Sequence, residues 1–198
     1  ESSSQGVPNS VVSETWVVPW NDLSAFEALF AAHPQQIAAV ILEPVPANNG
    51  LWIPTREHLR KILEVAHQYG ALVIFDEVIC GFRLGLHGAS GFFDLQPDLV
   101  TLGKILGGGL PVAAVVGRKE IMGHLAPLGS VYQAGTLSGN PLGTAAGCAV
   151  LQALFSEDPF ADLAAQTEWF VASLRKSLEG RAVVRSVASL FWVFFGEP

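Results

Sequence analysis

The sequence predicts an α/β fold, a mainly parallel sheet with helices on both faces, and three observations carry that prediction. Short apolar runs alternate with longer segments of helical period. Polar residues capable of chemistry stand where the apolar runs stop. Half of the 198 residues are hydrophobic, enough to bury a substantial core.

Taken in order, residues 37–42 are an apolar run that reads as a buried strand. Pro54 and Thr55 then open a helix, with Thr55 as N-cap and Leu59, Ile62, Leu63 and Ala66 on one face at three-and-four spacing. Gly70 ends that helix at its C′ position. Residues 71–75 follow as a strand whose unbroken apolar run suits burial on both faces, and the three elements make one βαβ unit. Residues 98–102 and 113–116 read as two further short strands. Residues 140–154 and 159–178 read as helices, the first rich in small residues (Ala145, Ala146, Gly147, Ala149) that permit close packing. Residues 183–195 turn strand-like again and mark the expected start of a second domain. The chain opens on Glu1 and a polar run from Ser2 to Gln5 and stops at Gly196-Glu197-Pro198, which reads as an excerpt from a longer protein.

Composition narrows the function. Eleven basic and 18 acidic residues give a net charge of -7 without long runs, which argues against nucleic acid and anionic membranes as partners. No apolar run reaches the ~18–20 residues that span a bilayer, and the first residues have neither a basic n-region nor a transit-peptide character, so a cytoplasmic protein is expected. Cys80 and Cys148 lack paired-thiol or zinc spacing and read as buried small apolar residues. His33, His58, His67, His87 and His124 have no metal-ligand spacing, so no metal is expected. A Gly-x-Ser-x-Gly elbow is missing, which removes the support for a serine hydrolase.

The strand ends carry the chemistry. Glu43 follows the first strand, Asp76 and Glu77 the second, and Lys104 the third. A carboxylate at the end of a buried strand is costly unless paired, so Asp76 calls for a cation. It is either a helix cap or structural ion pair, or the permanent negative partner of a protonated ring nitrogen. Lys104 is either a solvated lysine or, set among Gly103 and Gly107-Gly108-Gly109, a partly desolvated amine able to attack an aldehyde. The glycines do not make a Walker loop, because Asp98 stands where its first Gly belongs and Ile105 where Ser or Thr should follow. Nor does any stretch match the dinucleotide Gly pattern. The run from Gly135 to Pro141 offers hydroxyls and amides before a helix, fit for a phosphate or merely for capping by Ser138 or Asn140.

These residues together resemble a known family. Phe75-Asp76-Glu77-Val78 with Gly81-Phe82-Arg83, then Pro97-Asp98-Leu99-Val100-Thr101-Leu102-Gly103-Lys104 and Gly107 to Pro111, are similar to the class III aminotransferase signature of fold-type I pyridoxal-phosphate enzymes. Within it, the runs from Glu43 to Gly50 and from Val131 to Pro141 are most similar to the aminomutase branch. The resemblance implies residues 1–180 as the central part of the cofactor-binding large domain and 181–198 as the start of a small C-terminal domain. It implies pyridoxal 5′-phosphate as cofactor, with a pyridoxamine form in the cycle, held by Lys104 as a Schiff base. Lys104 would also shuttle protons, Asp76 would keep the ring nitrogen protonated, Val78 would pack on the ring and Asn48 would lie near its phenolic oxygen. Gly135 and Thr136 would bind the cofactor phosphate of a neighbouring subunit, making a homodimer with shared sites, and Glu43 would stand behind the site.

The implied reaction is intramolecular amino transfer, converting glutamate 1-semialdehyde to 5-aminolevulinate for tetrapyrrole synthesis. Asn48 favours this branch, since ornithine- and aminobutyrate-type relatives typically carry a glutamate there. The alternatives are a class III transaminase acting on a separate amino acid and keto acid, and a non-catalytic binding module on the same fold. The family's own phosphate loop and its ring-stacking aromatic have no counterpart in these 198 residues. The isolated chain is therefore expected to bind the cofactor weakly and to be inactive.

Overall fold

A computed structural model describes residues 4–195; the outermost parts of the two terminal runs noted above lie outside the described residues. A short helix α1 (Asn9–Val12) precedes α2 (Leu23–Ala32), whose first turn is capped by Asp22 Oδ1 accepting from the Ala25 amide at 2.9 Å. Then come β1 (Ala39–Leu42), α3 (Arg56–Gln68) and β2 (Leu72–Asp76), the expected βαβ unit, with β1 and β2 parallel in the register Leu42 to Phe75. Thr55 caps α3 as expected, its Oγ1 accepting from the His58 amide at 3.2 Å, and Gly70 follows the helix with φ +79°.

The chain continues through α4 (Gly88–Phe93), β3 (Leu99–Leu102), a 3-10 turn (Lys104–Gly107), β4 (Ala114–Gly117) and α5 (Lys119–Met122). β3 adds to the sheet parallel to β2, and β4 closes it antiparallel to β3, giving the order β1-β2-β3-β4. Helices α6 (Pro141–Glu157) and α7 (Phe160–Ser177) precede an antiparallel hairpin of β5 (Val183–Val187) and β6 (Leu190–Phe194).

The core lies between the sheet and the helices α2 and α3. Leu59, Ile62, Leu63 and Ala66 of α3 meet Phe26 and Phe30 of α2 and Val73 and Phe75 of β2, all buried. Removing a side chain such as Leu59 down to alanine would cost about 2–5 kcal/mol. The strands are less enclosed than their apolar runs suggested. Val73 and Phe75 are buried, but Leu72 and Ile74 are half-buried, and Ile41 on the edge strand β1 is 64% exposed. The reason is geometric: α2 and α3 cover the face formed by Val40, Leu42, Val73 and Phe75, while the face carrying Ile41, Ile74 and Val115 has less over it among the described residues.

The small-residue stripe of α6 does what its composition suggests. Gly143 and Gly147 are buried, and a Cβ on Gly147 would sit 3.3 Å from the Leu106 carbonyl oxygen in the 3-10 turn. Cys80 is buried, but Cys148 is exposed, contrary to expectation, because it falls one residue off that packed stripe. The β5–β6 hairpin rests on the rest of the chain through Val187, Ala188 and Leu190, which pack against the core. No helix among the described residues is long and apolar enough to cross a membrane.

Candidate active site

Three strand ends and the loops beyond them build the site. After β1, Glu43 turns back into its own loop: Oε2 accepts from the amides of Ala47 at 3.1 Å and Asn48 at 3.4 Å. Glu43 thus holds the backbone that carries Asn48, whose side chain is exposed. The same loop is pressed from outside by β6, where the Phe194 ring covers Gly50. A Cβ there would lie 2.6 Å from the ring, and φ is +91°. The positive φ favours glycine at that position, and a Cβ would also have to displace the tip of the Phe194 ring.

Asp76 is the last residue of β2, and Thr101 is its register partner in β3. Asp76 Oδ1 accepts from the Val78 amide at 3.1 Å and from Thr101 Oγ1 at 3.0 Å. Among the described residues Oδ2 takes no hydrogen bond and Asp76 meets no cation, so the ion pair its position called for is not supplied by these residues. A half-buried carboxylate with one oxygen fixed and the other open suits an N–H donor that carries positive charge.

Two residues beyond β3, Lys104 opens the 3-10 turn with φ +48°. A left-handed backbone at a non-glycine residue costs about 1 kcal/mol or more and persists where neighbours over-determine it. Those neighbours are Gly103, Leu106 and Gly107, all buried, with the Leu106 amide bonded to the Gly103 carbonyl at 3.0 Å and α6 laid against the turn. Val78 joins the two halves of the site, since a Cβ on Gly103 would lie 3.3 Å from Val78 Cγ1. The Lys104 side chain is exposed rather than partly desolvated, because no described residue closes over it.

Glu77, the other carboxylate at this strand end, faces away from Asp76, as strand alternation requires. It is 2% exposed and accepts from the Ala89 amide at 2.7 Å and from the Ser90 amide and hydroxyl, both at 3.4 Å. Burial pushes its carboxyl above the ordinary range, and the three donors only partly counter that. The same burial pushes the Cys80 thiol up to about 12. The sequence marked Glu77 together with Asp76 as a strand-end carboxylate without giving it a role, whereas Thr101 was not marked, and only strand register reveals it.

Gly135 and Thr136 lie exposed in the loop before α6, and no hydrogen bond among the described residues ties them to Asp76, Val78 or Lys104. Asn140 is the helix cap, its Oδ1 accepting from the Gly143 amide at 2.7 Å, whereas the Ser138 hydroxyl makes no capping bond among the described residues. At the opposite pole Asp98 binds the Val73 amide at 2.7 Å, His67 Nε2 at 2.8 Å and the Arg118 guanidinium. Burial opposes its ionisation, but these donors outweigh that and hold its carboxyl below the usual range. His58 stacks on Trp20 and His33 on Trp16. Among the described residues no group of three His, Cys, Asp or Glu side chains could hold a metal.

Known proteins show the same framework. The glutamate-1-semialdehyde 2,1-aminomutase of Nitratidesulfovibrio vulgaris strain DP4 is 51% identical over 193 residues, covering 96% of this chain and 45% of that protein. The protein of the same name from Legionella pneumophila strain Paris is 48% identical over 97% of this chain and 45% of its own length. The chain thus spans under half the length of the curated relatives it matches. Among solved structures, an omega-transaminase from Sphaerobacter thermophilus superposes with a TM-score of 0.87 at 31% identity, over 99% of this chain and 46% of that one. A structure described as a transaminase with PLP bound gives 0.86 at 29% identity, over 96% of this chain and 46% of that one. The profile of one family, "Aminotransferase class-III", matches residues 6–191, a stretch that takes in Asp76, Lys104 and the loops around them, and the chain belongs to that family.

Proposed function

We propose that this chain is the central part of a pyridoxal-phosphate enzyme that moves an amino group within one substrate, converting glutamate 1-semialdehyde to 5-aminolevulinate for tetrapyrrole synthesis. The observation that carries the proposal is the Asp76–Val78–Lys104 cluster. A carboxylate with one free oxygen and an exposed amine stand at neighbouring strand ends with an apolar side chain between them. These groups fit the cofactor's chemical features: a ring nitrogen to be kept protonated, a flat apolar ring and an aldehyde. When bound, the cofactor supplies an electron sink that makes a substrate proton acidic.

The chain's own residues do the rest. Asp76 Oδ2 would accept the ring N–H and keep that nitrogen positive, Val78 would support the ring, and Lys104 Nζ would hold the cofactor and, once released by substrate, carry protons between the substrate carbons and the cofactor. Asn48, whose backbone amide Glu43 holds, would lie near the phenolic oxygen. Gly135 and Thr136 serve the phosphate of a second subunit. Exposed Leu128, Val131, Tyr132, Leu137 and Leu142 flanking them support a homodimer whose partner covers this surface. We place residues 1–180 in the large domain, 181–198 at the start of the small one, and the enzyme in the cytoplasm. The isolated chain binds the cofactor weakly and is inactive on this proposal, which the exposure of Lys104, Asn48 and Thr136 supports.

The substrate assignment rests on relatives bearing the aminomutase name at 45–51% identity, and on Asn48. The transaminase reading is favoured by the structural likeness to the omega-transaminase. The full-length protein supplied with the semialdehyde and no other amino donor separates them: 5-aminolevulinate is expected, and its absence sinks the aminomutase. Borohydride reduction of the holoenzyme and peptide mapping should find the pyridoxyl adduct on Lys104; an adduct elsewhere breaks the site assignment and none at all favours a binding module.

A further inference from the structure

Thr101 stands in a strand whose other members, Leu99, Val100 and Leu102, are apolar. Valine has nearly the same shape and the same preference for a pleated surface, so nothing in the strand itself asks for a hydroxyl at this position. The ladder bond at Thr101, from the Glu77 amide to its carbonyl at 3.0 Å, is made by backbone and survives any side chain. Its hydroxyl has one hydrogen-bond partner among the described residues, Asp76 Oδ1 at 3.0 Å.

That contact has a directional effect. Two donors from separate segments, the Val78 amide and the Thr101 hydroxyl, converge on one oxygen of Asp76. With the Val78 amide alone the carboxylate could turn about its last torsion, which has a broad, two-fold profile. A second donor from the next strand removes that freedom and leaves Oδ2 as the open oxygen. We infer that Thr101 is a positioning residue for the proposed reaction: it pins Oδ1 of Asp76 so that Oδ2 meets the ring nitrogen. The inference rests on the reading that Asp76 faces a pyridinium.

A double-mutant cycle on the full-length apoprotein, titrated with pyridoxal 5′-phosphate by absorbance, tests it. Thr101→Val is expected to raise the dissociation constant roughly tenfold, the low end of what a hydrogen bond to a charged group is worth. Thr101→Ser, which keeps the hydroxyl, should stay within about twofold, and Thr101→Val in an Asp76→Ala background should change binding by less than about twofold. An equal effect of Thr101→Val in both backgrounds, or no effect in the wild type, overturns the inference, because a merely structural threonine acts independently of Asp76. If Asp76→Ala by itself leaves the dissociation constant unchanged, the pyridinium reading fails and takes the inference with it. Should Thr101→Val not fold, judged by the apoprotein's Tm, Thr101→Ala carries the same cycle.

Discussion

Replacing Glu77 by alanine in the full-length protein should loosen the 88–90 segment and leave the strand beneath it in place. Glu77 is the acceptor for the amide of Ala89, a residue with no exposed surface, and the bond is short at 2.7 Å. Losing the acceptor of a buried amide costs about 1–3 kcal/mol. The two contacts to Ser90 at 3.4 Å add little, and the lost methylene packing adds about 1 kcal/mol. Part of this is offset because the variant no longer buries a desolvated carboxylate, which leaves a net cost of about 2–3 kcal/mol. Hydrogen exchange should show protection at the Ala89 amide falling roughly 30- to 150-fold, with the amides of Val73 and Phe75 unchanged. Glu77→Gln keeps volume and an acceptor and should cost about 1 kcal/mol. Since the folded carboxyl sits above its ordinary 4.5, its stabilising contribution is full below that value and fades as pH rises through the folded one. The gap between wild type and Glu77→Gln must therefore narrow from pH 5 to pH 7.5. A widening gap, or an Ala89 amide as protected in Glu77→Ala as in the wild type, refutes the reasoning.

Asp98 has the opposite sign: its folded carboxyl lies below the ordinary 3.8, so its contribution is present above that value and is lost as pH falls through the folded one. Asp98→Asn should lower stability by about 1–2 kcal/mol at pH 7 and flatten the acid limb of a urea-midpoint profile; an unchanged limb would count against it. Gly50→Ala forces a side chain to φ +91° and into the Phe194 ring, so about 2 kcal/mol or more should be lost and β6 amides should exchange faster. Gly147→Leu should push α6 off the turn that carries Lys104 and cost about 1–3 kcal/mol, read as a lower apoprotein Tm together with weaker cofactor binding. Retained affinity there would mean that the helix does not support the turn.

Much of this was legible because the strands announce themselves as apolar runs and the site residues stand where those runs end. Asp76 and Lys104 were visible for that reason, and Thr55 and Gly70 bounded α3 by local chemistry alone. What depended on pairing was not legible. Thr101 gains its role only through register with Asp76, and neither the spacing nor the composition of 99–102 states which residue it faces. The antiparallel direction of β4 was equally hidden, although the short connection after Lys104 leaves no room for a crossover helix. Helix α2, with its Asp22 cap, was passed over because its apolar residues are spread around the helix instead of forming a stripe. Side-chain exposure misled at Cys148 and along the strands, at Ile41, Leu72 and Ile74, since sequence reports a preference for burial and not what happens to cover a given face.

The hairpin at the end of the chain gives the site an order of assembly. The Ser189 hydroxyl bonds the Arg83 carbonyl at 3.0 Å across 106 residues, and Phe194 sits on Gly50 from farther still. Closing loops of that length costs more entropy than the local βαβ unit does, so these contacts form late. On a ribosome, β1, β2 and their helix could pack long before residues 189–194 emerge, while the loops bearing Asn48 and Arg83 would still lack their clamp. The sheet can be inherited early from the growing chain; the loops around the site are fixed by a part made well after it.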